Sequence, residues 1–286
     1  MFPWEEVVQG RELQRFMNNQ ADLVAYLVFA YLGMVRYGPG LARRLLGELP
    51  PPTVSSSGKK IPAKPPRWLQ MCMTLWNLLL ASFSFFGAVV MVPGLVQGVF
   101  RYGLHNTVCA DHDELTYRSP VGAWTGIFVL SKIPELVDTL WLILEKRKTP
   151  SFLHWFHHAS VLIFSWFSYS MGNSTMSMFA CMNIFVHTIM YSYFFICSMG
   201  WKKLVRRFSK FITMLQILQM VVGSALTFYS YYINMSAYRK GIDDIDKLPC
   251  AVNKSTARFG CIMYLSYLYL FCKMYVQSYM TPKKEL

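Results

Sequence analysis

Charge is what this 286-residue chain has least of. Asp, Glu, Lys and Arg make up 15% of it, against 54% hydrophobic residues, and acidic groups number only 15 beside 28 basic ones. From Trp68 to Phe100 there is no charged residue at all. A charge-free run longer than the roughly 20 residues that cross a bilayer as a helix argues against an ordinary soluble core and for a membrane span. A basic leader is missing too. The chain opens with Glu5 and Glu6, and no small-residue cleavage site follows a short apolar run, so no cleaved signal peptide is expected.

What the chain does have is a series of further apolar segments. They fall at about 120–143, 151–170, 175–199, 211–233 and 259–276, with a weaker one at 20–36 where Asn18, Asn19 and Asp22 crowd the start. The net charge of +13 would suggest a nucleic-acid partner in a soluble protein. Sorted by segment it reads differently. Segments 36–67, 145–150, 200–210 and 278–286 hold 17 Lys/Arg and 3 Asp/Glu, whereas 1–22, 101–118 and 234–258 hold 9 and 10. The positive-inside rule places the first set in the cytosol. The expectation is one all-α integral membrane domain over 1–286 with seven transmembrane helices, the N-terminus lumenal or outside and the C-terminus cytosolic. Basic charge then reports topology rather than nucleic acid, and a polyanion-binding role remains compatible with it.

The seven cysteines follow the same map. Cys72, Cys181, Cys197, Cys261 and Cys272 lie in spans and read as small packing residues. Cys109 and Cys250 fall in loops on the oxidising side, where a Cys109–Cys250 disulfide is expected. Glycosylation triplets occur at Asn173, Asn234 and Asn253; the first lies in a tight loop. Segment 49–66 is rich in Pro, Ser and Lys and reads as an extended cytosolic linker between the first two spans. The terminal KKEL resembles the cytosol-read dilysine retrieval signal of endoplasmic-reticulum membrane proteins.

Ionisable groups inside a bilayer are costly and usually functional. Four groups have helical spacing. Lys132, Glu135, Asp138 and Thr139 share a broad face of span three, and Pro134 should kink that helix. A self-neutralising Lys132–Glu135 pair would be structural and would leave Asp138 unexplained. His154, His157 and His158 occupy one turn at the start of span four. Asn183, His187 and Tyr191 form a stripe on span five, with Met190 read as packing. Thr213, Gln216 and Gln219 recur every three residues at the start of span six, where polar groups often act only as interhelical glue. With the spans alternating in direction, all four groups fall near one depth on the cytosolic side, which describes a chamber.

Two enzyme chemistries compete for such a chamber. Histidine clusters also serve membrane di-iron oxidases and desaturases. The chain has only six histidines, and His105 and His112 lie in a loop on the far side. Acyl transfer is the other: imidazole acts as nucleophile or general base, and Asn183, His187, Gln216 and Gln219 can donate to developing oxyanion charge. A basic rim of Lys202, Lys203, Arg206 and Arg207 suits a phosphorylated headgroup. A seven-helix receptor or a transporter stays open as a different class, although D-R-Y and N-P-x-x-Y stretches are missing where such receptors carry them.

The four motifs, in order, resemble one family. KIPELVDT fits K-x-x-E-x-x-D-T, HWFHH fits H-x-x-H-H, and TMLQILQ fits T-x-x-Q-x-x-Q. NIFVHTIMYSYFF fits N-x-x-x-H-x-x-M-Y-x-Y-Y except that Phe194 replaces the last tyrosine. From span two onward the chain resembles the ELO-type very-long-chain fatty acid elongases, most like the subgroup acting on saturated and monounsaturated chains. That resemblance implies a 3-ketoacyl-CoA synthase of the endoplasmic-reticulum membrane, joining acyl-CoA and malonyl-CoA with release of CO2 and CoA. It implies that spans two to seven form a six-helix barrel of two inverted three-helix units, with span one outside and CoA at the cytosolic mouth. It also implies no metal and no bound cofactor. The expected partners are the two substrates, membrane lipids, the ketoacyl-CoA reductase, dehydratase and enoyl reductase of the cycle, and a second copy of the chain. The expected roles give His157 an acyl-imidazole and make His158 and Asp138 its orienting and proton-relaying neighbours. His154 and His187 would assist, and Lys132 and Glu135 would brace the barrel.

Overall fold

The computed structural model describes residues 10–49, 53–54, 60–61, 65–110, 117 and 119–281. Glu5, Glu6, His112, most of the 49–66 linker and the tail at 283–286 lie outside them. Helices dominate. Short α1 (Gly10–Asn19) leads into α2 (Ala21–Leu46). A two-residue antiparallel ladder then pairs β1 (Thr53–Val54) with β2 (Lys60–Ile61). The ladder lies in the segment expected to be an extended linker.

The charge-free run becomes α3 (Arg67–Cys109), which continues nine residues past the expected end of span two. It bends at Gly103, whose φ of 79° is a left-handed geometry that glycine adopts without strain. Span three is split. α4 (Pro120–Glu135) and α5 (Val137–Lys146) meet at Leu136, two residues after Pro134, which lacks a backbone donor. Ser151 caps α6 (Phe152–Ser170) by accepting from the His154 amide. α7 (Met176–Ile196) ends in a π-helical turn over Cys197–Trp201 that reverses at Gly200, φ 93°. Short α8 (Lys202–Val205) leads to α9 (Phe208–Ile233), α10 (Met235–Arg239) and α11 (Lys254–Tyr275), the last capped by Asn253 and closed by a π-helical turn at Val276–Met280.

Among the described residues four helical stretches are long and apolar enough to cross a membrane: Arg67–Cys109, Met176–Val205, Phe208–Ile233 and Lys254–Met280. The other expected spans differ for stated reasons. α2 carries Asp22, Arg36, Arg43 and Arg44; α4 and α5 are each shorter than a bilayer is thick; α6 is 19 residues with three histidines.

α3 packs along most of α7, and α9 along α11. α4 touches α3, α6 and α7, α6 touches α11, and α7 touches α9, while α1 and α2 lie against α4, α5 and α6. The surface pattern is that of a protein immersed in lipid. Leu75, Phe86, Val89, Phe100, Leu218, Ile262 and Tyr269 point outward, exposed, whereas Lys132, Glu135, Thr139, His158, Asn183, His187 and Gln219 are buried. Inward polar and outward apolar residues follow from a solvent in which apolar surface costs nothing to expose and an unpaired polar group costs several kcal/mol.

One end of the bundle is fastened covalently. Cys109 at the end of α3 is bonded to Cys250, 141 residues away. Asn234 is fully buried beside it: its Nδ2 donates to the Cys250 carbonyl at 2.6 Å and its Oδ1 accepts from the Cys250 amide at 2.8 Å. Asn173 is buried too, its Oδ1 accepting from the Asn253 amide at 2.7 Å. Two of the three glycosylation triplets are thus structural asparagines.

Candidate active site

The histidine-bearing helices enclose one large cavity of about 370 Å3. Asp138, His154, His157, His158, Asn183, His187, Tyr191, Thr213, Gln216 and Gln219 all line it, with Met190 beside them. Four helix segments that are distant in the chain therefore present their polar stripes to a single space. The helical periodicity does this on α6, α7 and α9, where residues three and four apart share a face and each motif aims as a unit; of the first motif only Asp138 lines the cavity.

The imidazoles are not equivalent. His154 Nε2 is 2.9 Å from the Thr139 hydroxyl, which in turn is 2.9 Å from the Tyr31 hydroxyl of α2. The rings of His154 and His158 lie 4.6 Å apart, and those of His157 and His158 lie 5.5 Å apart. His157 packs on the Tyr267 ring at 4.9 Å, and the Tyr267 hydroxyl donates to the His157 carbonyl and meets the Ser160 hydroxyl at 2.7 Å. The Ser160 hydroxyl itself donates to the Phe156 carbonyl. His157 thus has a fixed backbone and ring plane. Its ring nitrogens have no hydrogen-bond partner among the described residues.

Asp138 lines the cavity without a hydrogen bond to an imidazole. Its Oδ1 accepts from Trp76 Nε1 at 2.6 Å and its Oδ2 from the Tyr191 hydroxyl at 2.7 Å, so neither oxygen holds an imidazole. The carboxylate, at the start of α5, finds its donors on α3 and α7. It positions Tyr191, whose ring contacts His187 at 5.2 Å.

Lys132 and Glu135 stand behind the cavity wall and do not line it. Lys132 Nζ donates to Glu135 Oε1 at 2.6 Å and to Asn183 Oδ1 at 3.1 Å, and lies 3.9 Å from the centre of the Phe128 ring. His187 Nδ1 is 3.9 Å from the same Glu135 oxygen. The pair therefore holds Asn183 and faces His187 from the rear. Gln216 Nε2 contacts the Met190 sulfur at 3.3 Å. The exposed cations Lys202, Lys203, Arg206 and Arg207 do not line the cavity, but Ser209, two residues on, does. Among the described residues no three His, Cys, Asp or Glu side chains converge as a metal site.

Sequence reasoning passed over Trp76, Tyr31 and Tyr267. Trp76 and Tyr31 sit in apolar runs with nothing to single them out. Tyr264, Tyr267 and Phe271 do recur on one face of α11, and that stripe was a readable signal.

A bundle of membrane-length apolar helices around a polar, histidine-lined chamber defines a multi-pass membrane protein with an enzyme-like interior. The family model described as ELO: GNS1/SUR4 family matches residues 16–286. The chain is 48% identical to fatty acid elongase 2 of Trypanosoma cruzi (strain CL Brener), covering 100% of this chain and 96% of that protein. It is 42% identical to fatty acid elongase 2 of Trypanosoma brucei brucei (strain 927/4 GUTat10.1), covering 100% and 98%, and 38% identical to fatty acid elongase 1 of the same organism, covering 98% and 89%. No solved structure matches. The chain belongs to the ELO (GNS1/SUR4) family, and is a condensing enzyme of fatty acid elongation.

Proposed function

We propose that the chain joins an acyl-CoA to malonyl-CoA through an acyl-imidazole on His157. The carrying observation is that this ring lines the cavity with both nitrogens free, while His154 is tied to Thr139. A His157 nitrogen attacks the thioester carbon, the C–S bond breaks, and CoA leaves with the imidazole proton. Malonyl-CoA then loses CO2, and the enolate carbon attacks the acyl carbon. The C–N bond breaks, the 3-ketoacyl-CoA departs, and one proton from solvent returns the imidazole to its starting state. His158, 5.5 Å away ring to ring, relays that proton. Asn183, His187 and Gln219 offer donors to the oxyanion of each tetrahedral intermediate, and Lys132, Glu135 and Asp138 hold those donors in place.

The wider setting follows the same reading. Cyclic contacts from α3 through α4, α6, α11, α9 and α7 back to α3 support a six-helix barrel of two inverted three-helix units. The position of α2 against α5 and α6 supports a first span outside it, seven in all. The basic end, with Lys202, Lys203, Arg206 and Arg207 at its rim, faces the cytosol and takes the CoA phosphates; the Cys109–Cys250 end faces the lumen of the endoplasmic reticulum. The 3-ketoacyl product requires a ketoacyl-CoA reductase, a dehydratase and an enoyl reductase in the same membrane. Purified protein given labelled malonyl-CoA and acyl-CoA should form labelled 3-ketoacyl-CoA with release of CO2. No product with any acyl-CoA, or full turnover by His157→Ala, would remove this reading.

A further inference from the structure

One helix that carries none of the four polar motifs reaches the site all the same. α2 lies against α5 and α6, and its buried residues are Val24, Tyr31, Val35, Pro39 and Ala42. Tyr31 alone among them carries a hydroxyl, and it is only 3% exposed. A phenylalanine would fill nearly the same space, so packing does not explain the oxygen. Its hydrogen-bond partner among the described residues is the Thr139 hydroxyl at 2.9 Å, and Thr139 is fully buried. The Thr139 hydroxyl has one further partner among the described residues, His154 Nε2 at 2.9 Å.

Donor accounting gives this relay a direction. Each hydroxyl has one proton to give. Were the ring proton on Nε2, it would go to Thr139, the Thr139 proton would go to Tyr31, and the Tyr31 O–H would lie buried with no acceptor among the described residues. A buried donor left unmade is the costly case. In the reverse order Tyr31 donates to Thr139 and Thr139 donates to Nε2, and both hydroxyl protons are used. His154 is then the Nδ1–H tautomer, because the bond made by one ring nitrogen decides which nitrogen carries the proton.

The ring stands between the relay and the chamber. His154 lines the cavity and Thr139 does not. Nε2 is turned back to Thr139, so Nδ1 is the nitrogen left for the cavity. The His158 ring lies 4.6 Å from His154, and the His157 ring 5.5 Å further on. A neutral N–H at that place attracts developing oxyanion charge, whereas the other tautomer would present a lone pair to it.

We infer that Tyr31 is a positioning residue for the condensation: through Thr139 it holds His154 as an Nδ1–H donor to the oxyanion formed in the chamber. Tyr31 touches no substrate, and no proton travels along the relay; it sets tautomer and ring orientation. α2 thereby serves the active site although it contributes no residue to the cavity wall. The inference rests on the condensing reading above and adds a donor to it.

The test pairs kinetics with ring-nitrogen NMR on the purified full chain carrying 15N-labelled histidine. In the unmodified protein the resonances that vanish in His154→Gln should show Nδ1 protonated and Nε2 bare, and Tyr31→Phe should give a mixture of tautomers. In condensation of labelled malonyl-CoA, Tyr31→Phe should lower kcat about 3- to 10-fold, the scale of one neutral hydrogen bond, with KM for both substrates within about twofold. Thr139→Val should lose more, up to about 100-fold, the scale of one oxyanion donor, and Thr139→Ser should restore most of that loss. Adding Tyr31→Phe to Thr139→Val should change kcat by no more than about twofold, because the relay is already cut. Three results overturn the inference: a His154 proton on Nε2 in the unmodified protein, unchanged kcat in Tyr31→Phe, or losses that multiply in the double variant. If Tyr31→Phe does not fold, the tautomer in the unmodified protein decides alone. Absence of product from the unmodified protein with every acyl-CoA overturns the condensing reading instead, and the donor's role with it, while the tautomer is read independently of turnover.

Discussion

Replacing Lys132 by Met keeps the aliphatic stem and removes only the charge and its hydrogen bonds. Lys132 is 1% exposed and Glu135 3%, so the carboxylate left behind has almost no access to water. Its Oε2 already lacks a partner among the described residues, and Oε1 would keep only the Ser131 hydroxyl at 3.2 Å. Breaking a buried pair from one side costs about 3–5 kcal/mol because an uncompensated charge stays behind. For a chain of this size each kcal/mol moves the melting temperature by about 2–4 °C, so Lys132→Met should melt roughly 6–20 °C lower in detergent micelles. Glu135→Gln should cost about 3–5 kcal/mol by the converse route, leaving the ammonium unpaired. The double variant Lys132→Met/Glu135→Gln removes both charges and should recover to within about 2 kcal/mol of the unmodified protein. Thermal unfolding followed by intrinsic tryptophan fluorescence reads all three. A double variant whose loss equals the sum of the two single losses would refute the pair as a coupled, buried brace.

Asp138→Asn weakens two hydrogen bonds, those from Trp76 and Tyr191, and should lower kcat about 10- to 100-fold; Trp76→Phe should lower it less, and the reverse order would contradict a positioning role through Tyr191. Cys109→Ser/Cys250→Ser opens a 141-residue loop and should cost at most about 5 kcal/mol in thermal unfolding, with turnover retained at low temperature. Asn234 is buried with its amide on backbone carbonyls, so glycosidase treatment of membranes should release no glycan from it, and Asn234→Ala should cost about 1–3 kcal/mol. Replacing Lys202, Lys203, Arg206 and Arg207 together by Gln should raise KM for acyl-CoA roughly tenfold and flatten its salt dependence with kcat kept; an unchanged KM would move the CoA phosphates elsewhere.

Much of the site was legible because its helices are regular. The spacings of His154, His157 and His158, and of Asn183, His187 and Tyr191, specify faces without reference to tertiary structure, and those faces do meet. The breaks were half legible. Pro134 announced a kink, but the direction in which it turned Asp138 depended on where Trp76 and Tyr191 wait, and Trp76 lies 62 residues earlier in an unbroken apolar run. Gly103 and Gly200 mark bends whose positive φ no periodicity reveals. The packing of Phe164, Phe179 and Tyr264 against one another was hidden for a different reason. In a membrane helix an aromatic residue facing lipid and one facing a cavity look alike, and only Gly223, on a fourth helix, shows which way Tyr264 points.

The central claim is that His157 carries the acyl group. Purified protein incubated with octanoyl-CoA alone, then digested and analysed by mass spectrometry, tests it directly. The account predicts an octanoyl mass increment on the peptide containing His157, lost on addition of malonyl-CoA and missing from His157→Ala. An adduct that is never found, together with normal turnover by His157→Ala, would contradict it.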